Sequence, residues 1–408
     1  MRRFLWRASK SISALSLARS QIHTEAPTRL QGLIQCAANY VPLSPVTFLQ
    51  RAATAYSSNT SLVYGSVSYT WSQTYHRCLK LASALITHGI HRGDLVATLC
   101  PNVPAMYELH FAVPMAGAIL CTLNSRHDSA MVATLLKHSE TKILFVDYEL
   151  EGVARGAIEL LESKPEVIIV GGLDDEYERL IQSGESGVPV REPESEMDPI
   201  SVNYTSGTTS RPKGVVYNYR GAYLNSLATL MMHGIGSKAV YLWTVPMFHC
   251  NGWCLVWGMA AVGGCNVCIK KVTGKGIFEA IETHKVTHMG GAPTVLSMII
   301  KAGGENRMNR RVELMTGGAA PPPQVLHDAE KLGFSVSHLY GMTETYGPAT
   351  SCEWKAEWDL LSGEERAEKR GIQGVRNIAI EEVDVRNPET LESVPSDGTT
   401  VGEVMMRG

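Results

Sequence analysis

Residues Tyr204–Gly214 read YTSGTTSRPKG, with five aliphatic hydroxyls, two glycines and a lysine in eleven residues. A loop holds a dense anion such as a triphosphate by aiming backbone N–H groups at it, and that close approach favours glycine. Hydroxyls of Thr205, Ser206, Thr208, Thr209 and Ser210 add donors, and Lys213 adds a point charge. Charge-assisted bonds to phosphate are about twice as strong as neutral ones. A Walker loop needs G-x-x-x-x-G-K-[ST]. Here the order is Lys213-Gly214, so the stretch is not one. A polar surface turn could share the composition, but it needs no fixed lysine and no run of threonines.

Outward from this loop the chain alternates strand and helix patterns. The strand PISVNYTS feeds the loop. Three further strands end in glycine-rich or polar corners: AVYLWTVPMFHCNG at His249, VTHMGGAPTV at Gly290 and Gly291, and VELMTGGAAPPP at Gly317 and Gly318. FSVSHLYGMTET ends a fourth. Upstream, GDLVATLCPN, TKILFVDYE and EVIIVGG read as strands apolar on both faces. WSQTYHRCLKLASALITHGI reads as a helix capped by Ser72 and stopped by Gly89, with Cys78, Ala82, Leu85 and Ile86 on one face. A second helix opens at Pro104. Residues 173–197 are acidic and read as a solvated connection, and the charge-rich stretch 353–370 as an exposed helical excursion. The expected fold class is α/β, with layered, mostly parallel sheets flanked by helices. Ligands in such folds bind beyond the carboxyl ends of strands, where all these corners lie.

At 408 residues the chain exceeds one simple core. The expected division is a tail at 1–25, then subdomains at about 26–195 and 196–375, with a third beginning at 376–408. A net charge of −3 and the absence of a basic run give no reason to expect nucleic acid. Nine scattered cysteines suit a reducing compartment. Cys250, Cys254, Cys265 and Cys268 invite a zinc reading, but they stand in an apolar run that reads as buried strand and helix. That run is broken by His249, Asn251 and glycines, short of the roughly 20 apolar residues a membrane span needs. Residues 1–24 carry Arg2, Arg3, Arg7, Lys10 and Arg19, five serines and no acid before Glu25. This is the composition of an organellar transit peptide, most like a mitochondrial one, with peroxisomal and cytoplasmic placement as alternatives.

YTSGTTSRPKG resembles the phosphate-loop signature of the AMP-forming acyl-activating enzymes, the adenylate-forming acyl-CoA synthetase and ligase superfamily. LYGMTET, PMFHCNGW and TGGAAPPP match the same family in the right order. TTSRPKG and NYVPLSPVTFLQRAA look like its plant acyl-activating branch. The resemblance implies an enzyme that uses ATP and Mg2+ to convert a carboxylic acid to an acyl-adenylate, then transfers the acyl group to coenzyme A. It implies that Thr205, Ser206, Gly207, Thr208, Thr209 and Lys213 grip the β- and γ-phosphates, that Thr343 meets the α-phosphate, and that Glu344 binds magnesium. It places Tyr340 and Gly341 at the adenine, Gly317, Gly318 and Ala319 along the base and acyl pocket, His338 at the adenine edge, and His249 where acid and phosphate meet. Trp253, Met289 and Tyr346 are expected as pocket walls. Because these segments are mostly apolar, the expected substrate is a short-chain, branched-chain or aromatic monocarboxylate.

The sequence departs from the family's pattern at its end, after GTTVGEVMMRG, where the family's Thr-Gly-Asp motif and small C-terminal domain are not found. A non-catalytic nucleotide- or acyl-binding remnant therefore stands as an alternative reading. A phosphate-loop ATPase yielding ADP is a third.

Overall fold

Thr70, not Ser72, starts the first long helix, Trp71–Thr87. Its hydroxyl accepts from the Gln73 N–H at 3.2 Å, and the Gln73 side chain accepts from the Thr70 N–H at 2.8 Å. The reciprocal cap needs Gln or Glu three residues on. Thr70 has one; Ser72 is followed by Tyr75. Cys78, Ala82 and Leu85 are buried on the expected face, and Gly89, at φ +83°, turns the chain out.

The computed structural model describes residues 36, 38–205, 212–303 and 308–408. Residues up to Val41 belong to a separate unit, in which the Tyr40 N–H bonds the Cys36 carbonyl at 2.9 Å. The basic segment 1–24 lies outside the described residues.

From Pro42 onward the strands run β1 (Thr60–Tyr64), β2 (Val67–Thr70), β3 (Leu95–Leu99), β4 (Ile119–Thr122), β5 (Ile143–Asp147), β6 (Glu166–Val170), β7 (Pro199–Thr205) and β8 (Lys213–Asn218). They continue as β9 (Val240–Trp243), β10 (Cys265–Cys268), β11 (His288–Gly291), β12 (Val312–Thr316), β13 (Phe334–Met342), β14 (Gly347–Ser351), β15 (Val375–Arg376), β16 (Glu382–Arg386) and β17 (Glu403–Arg407). One sheet has the order β6-β5-β3-β4-β7-β8 and is parallel except for β8. The other has the order β15-β14-β13-β12-β11-β9-β10-β1-β2 and is parallel from β13 to β1. β16 and β17 form a separate antiparallel pair. This is the layered, mostly parallel α/β class expected.

Three local readings change. The first sheet runs past residue 195 through β7 and β8, while β1 and β2 join the second sheet, so the strands do not divide at 195. β6 is an edge strand, and Glu166 is exposed. The acidic stretch 173–197 contains the helix Glu176–Ser183, which buries Tyr177, Leu180 and Ile181. The excursion at 353–370 is a 3-10 turn, Ala356–Leu360, and a largely exposed helix, Gly363–Arg370, whose Ala367 is buried.

The helix Pro104–Met115 is apolar on nearly every side, and every residue from Ala105 to Met115 is buried. It carries Glu108 into the core, where the Tyr177 hydroxyl donates to it at 2.7 Å and Arg77 pairs with it. Arg77 also reaches Glu178 at 2.6 Å. An unpaired carboxylate there would be costly, and the guanidinium and phenol supply its partners. Cys250, Cys254 and Cys268 are buried free thiols and Cys265 is half-buried. Among the described residues no group of three or more potential ligands could hold a metal ion, and no helix is long and apolar enough to cross a membrane.

His110 on the same helix is 0% exposed. Its Nδ1 donates to the Met106 carbonyl at 2.7 Å, and its Nε2 has no partner among the described residues. Burial pushes its pKa from 6.5 to about 4. In the unfolded chain the ring takes up a proton below about 6.5, while the folded chain leaves it neutral. Its stabilising contribution is therefore present above that pH and is lost as pH falls toward 4. The urea midpoint is expected to be lower at pH 5 than at pH 7, with a shallower dependence in His110→Gln. Equal dependence in the two proteins would remove His110 as its source.

Candidate active site

β7 delivers Thr205 to its carboxyl end, and β8 returns antiparallel with Lys213 directly opposite Thr205. Thr205 is half-buried and Lys213 exposed. Ser206, Gly207, Thr208 and Thr209 lie outside the described residues. Further along β8, Tyr217 is 0% exposed, and its hydroxyl donates to the Thr343 carbonyl at 2.7 Å. Tyr346 stacks on Tyr217 with ring centroids 4.0 Å apart. The loop hairpin is thus tied to the 3-10 turn Thr343–Thr345 that follows β13. That turn is shaped by Thr345 Oγ1, which accepts from the Met342 N–H at 2.9 Å and lies 2.7 Å from the Gly347 carbonyl. Gly341 permits the fold-back: a Cβ there would stand 1.9 Å from the Gly347 oxygen.

The corner after β9 comes to the same place. From Cys250 to Cys254 five consecutive residues have positive φ, from 49° to 61°. The turn is left-handed, closed by the Cys254 N–H on the Cys250 carbonyl at 3.2 Å. Left-handed backbone costs about 1–2 kcal/mol per L-residue, and only Gly252 escapes that cost. A Cβ on Gly252 would meet the Trp243 ring at 2.4 Å. Strain of this size persists only where the surroundings impose it.

Two cavities meet at His249 and Cys250. One, of about 120 Å³, is lined chiefly by Val245, Trp253, Ala292, Leu339 and Pro348 with the backbones of Gly317, Gly318 and Gly341, and no Lys, Arg, Asp or Glu faces it. The other, of about 320 Å³, reaches Asn124, His127, Tyr204, Thr205 and Thr343. His249 is open to this cleft, yet enough protein surrounds it that burial lowers its pKa. Cys250 donates to Thr343 Oγ1 at 3.9 Å, and burial pushes its thiol up to about 11. It is a protonated, unreactive wall residue at neutral pH.

The structure thus brings Thr205, Thr343, His249, Gly317, Gly318 and Gly341 together. Glu344 is exposed and faces a neighbouring cleft with Asn218, Tyr346 and Asn377. Ala319 is exposed and Tyr340 half-buried. His338 is 0% exposed, with Nδ1 donating to the Gly371 carbonyl at 2.8 Å. It alternates onto the face of β13 that carries buried Phe334 and Val336, and does not open to either cavity. Of the three expected walls only Trp253 lines the apolar cavity. Met289 is buried in the core cluster with Leu242 and Leu314, and Tyr346 is taken by its stack on Tyr217. Tyr217 was not visible as a site residue, because nothing in GVVYN marks a bond to a carbonyl 126 residues away.

Residues 49–408 match the AMP-binding enzyme family. The chain belongs to that family. It is 48% identical over 402 residues to a peroxisomal trans-cinnamate:CoA ligase of Petunia hybrida, covering 92% of this chain and 70% of the relative. It is 45% identical over 399 residues to a peroxisomal butyrate–CoA ligase of Arabidopsis thaliana, covering 93% and 70%. A long-chain-fatty-acid-CoA ligase from Archaeoglobus fulgidus superposes with a TM-score of 0.80 at 22% identity, over 90% of this chain and 75% of that one, which shows the shared fold. The mitochondrial reading of the N-terminus finds no support, since both plant relatives are peroxisomal.

For this AMP-binding enzyme two substitutions test the geometry of the turn. Tyr217→Phe removes one buried hydrogen bond and is expected to cost about 1 kcal/mol of stability in urea unfolding. Gly341→Ala forces the β13–β14 crossing apart and is expected to melt at a lower temperature than Tyr217→Phe. An unchanged melt in Gly341→Ala would show that the crossing is looser than described.

Proposed function

We propose that the chain is an AMP-forming acid–CoA ligase for a short-chain, branched-chain or aromatic monocarboxylate. One observation carries the reading: an apolar cavity with no charged wall meets, at His249, the strand end Thr205 and the turn residue Thr343. A second charge on the acid would be buried without a partner there, so monocarboxylates are favoured. The named relatives act on cinnamate and butyrate, an aromatic and a short-chain case of the same class.

A carboxylic acid, with a pKa of about 4, is already an anion at neutral pH and needs no base. Its obstacle is approach to the α-phosphate, another anion. The protein's task is to neutralise charge and hold the groups in line. The carboxylate oxygen attacks the α-phosphorus, and pyrophosphate departs. The thiol sulfur of coenzyme A then attacks the acyl carbon, its proton is lost, and AMP leaves. Lys213, Thr205 and the loop residues Ser206–Thr209 hold the β- and γ-phosphates, and the Thr343 hydroxyl holds the α-phosphate. His249, its pKa lowered by burial, is a neutral hydrogen-bonding imidazole at pH 7. Gly317, Gly318, Ala319, Tyr340 and Gly341 flank the nucleotide. Magnesium is commonly held by one or two carboxylates together with substrate phosphate oxygens. Glu344 would supply such a carboxylate, and the ion would offset phosphate charge. A peroxisomal location follows the plant relatives, and a fluorescent fusion should coincide with a peroxisomal marker.

The test is AMP production and carboxylate-dependent exchange of pyrophosphate into ATP across a panel of acids, with and without coenzyme A. ADP as product, or no exchange with any acid, would overturn the assignment. Lys213→Ala is expected to raise the KM for ATP about 10- to 100-fold, the worth of one charge-assisted bond. Glu344→Ala should lower kcat at all magnesium concentrations; normal rates would remove its metal role. Trp253→Leu should raise the cinnamate-to-butyrate ratio of kcat/KM about tenfold. An unchanged ratio would show that Trp253 does not set pocket size.

A further inference from the structure

The corner between β9 and the left-handed turn leaves one sheet and lies against the other, where no strand among the described residues pairs its backbone. Its partners are buried side chains from the carboxyl ends of three neighbouring strands, β3, β4 and β7. Asn102, three residues past β3, donates through Nδ2 to the carbonyls of Trp243 at 3.0 Å and Val245 at 2.9 Å, and accepts at Oδ1 from the Met247 N–H at 2.8 Å. Thr122, the last residue of β4, lies 3.0 Å from the Phe248 carbonyl and 3.1 Å from Asn203 Oδ1. In the left-handed turn, Asn251 Oδ1 accepts from Ser201 Oγ at 2.8 Å and from Asn203 Nδ2 at 2.7 Å, both on β7. All five side chains are at most 6% exposed.

The held positions 243, 245, 247, 248 and 251 bracket His249, whose own ring has one close polar contact among the described residues, Cys250 Sγ at 3.8 Å. His249 is therefore placed by its backbone, and its backbone is placed by this row. The same β7 carries Thr205 at its end. We propose that Asn102, Thr122 and the Asn203–Asn251 pair are positioning residues, a polar clamp that fixes His249 and the wall of the acid cavity against the strand leading to the phosphate loop. The inference rests on the ligase reading for its kinetic consequence and on the geometry alone for its structural one. Asn102 suits the role because it offers a donor and an acceptor together, as a strand edge does, whereas Asn251 contributes its acceptor alone, its Nδ2 having no partner among the described residues. The clamp also gives the left-handed turn a reason to persist. Asn251 meets β7 from that conformation, and its bonds offset part of the strain.

Asn102 lines neither cavity, so an effect of its loss on the acid must pass through the corner. In pyrophosphate exchange by the full chain, Asn102→Ala and Thr122→Val are expected to lower kcat/KM for the acid by about 10- to 100-fold, the scale of small misplacements of a reacting group. The KM for ATP should stay within about twofold of wild type, because Lys213 and Thr205 are untouched, and Thr122→Ser, which restores the hydroxyl, should recover most of the loss. The His249 imidazole resonance, assigned by comparison with His249→Gln, provides a reading independent of turnover. It should move in Asn102→Ala and Thr122→Val and stay in place in Thr122→Ser. Wild-type kinetics per folded molecule with an unmoved His249 signal in both variants would overturn the clamp. An inactive wild type whose His249 signal still responds would overturn the ligase reading and leave the clamp standing. Should Asn102→Ala fail to fold, Asn102→Ser takes its place, because Thr122 itself lines the larger cavity.

Discussion

A stretch of backbone that leaves one sheet and lands on another carries N–H and carbonyl groups that no ladder can pair. Buried, each must find a partner in a local turn or in a side chain. That requirement governs the centre of this molecule. Asn102 serves three backbone groups, and Thr122 serves Phe248. The Tyr217 hydroxyl serves Thr343 in the same way from the other side. These bonds make one surface out of strand ends that belong to two sheets. The cavities, the left-handed turn and the position of His249 follow from them.

The proposed chemistry would use that surface because its reactants repel each other. Positive charge and hydroxyls are concentrated at the β7–β8 hairpin, while the apolar chamber beyond His249 offers nothing ionic. The dividing residues are uncharged: a histidine with a lowered pKa and a thiol held in its protonated form. The boundary therefore adds no charge of its own. On the proposed reading, electrostatic work falls to the phosphate side and selection by shape to the chamber.

Much of this was legible from residue order. Alternating strands and helices gave the α/β class, and four motifs in sequence gave the corners. Glycines with a steric reason, such as Gly341 under the Gly347 carbonyl, stood inside the motifs that announced them. What escaped was of two kinds. Local competition between caps depended on a residue three positions further on, so Thr70 displaced Ser72. Long-range pairing left no local trace. Met289 and His338 read as site residues but alternate onto the covered faces of their strands, and Tyr217 and Asn102, which no motif marks, reach across more than a hundred positions.

The place of β1 in the second sheet matters for synthesis on the ribosome. Leu62 of β1 pairs with Asn266 of β10, a residue made 204 positions later. At roughly 5–20 residues per second that interval is about 10–40 s. Throughout it, β1 presents an open edge of the kind that recruits unwanted strands. Pairing with β10 closes that edge and completes the sheet's N-terminal flank.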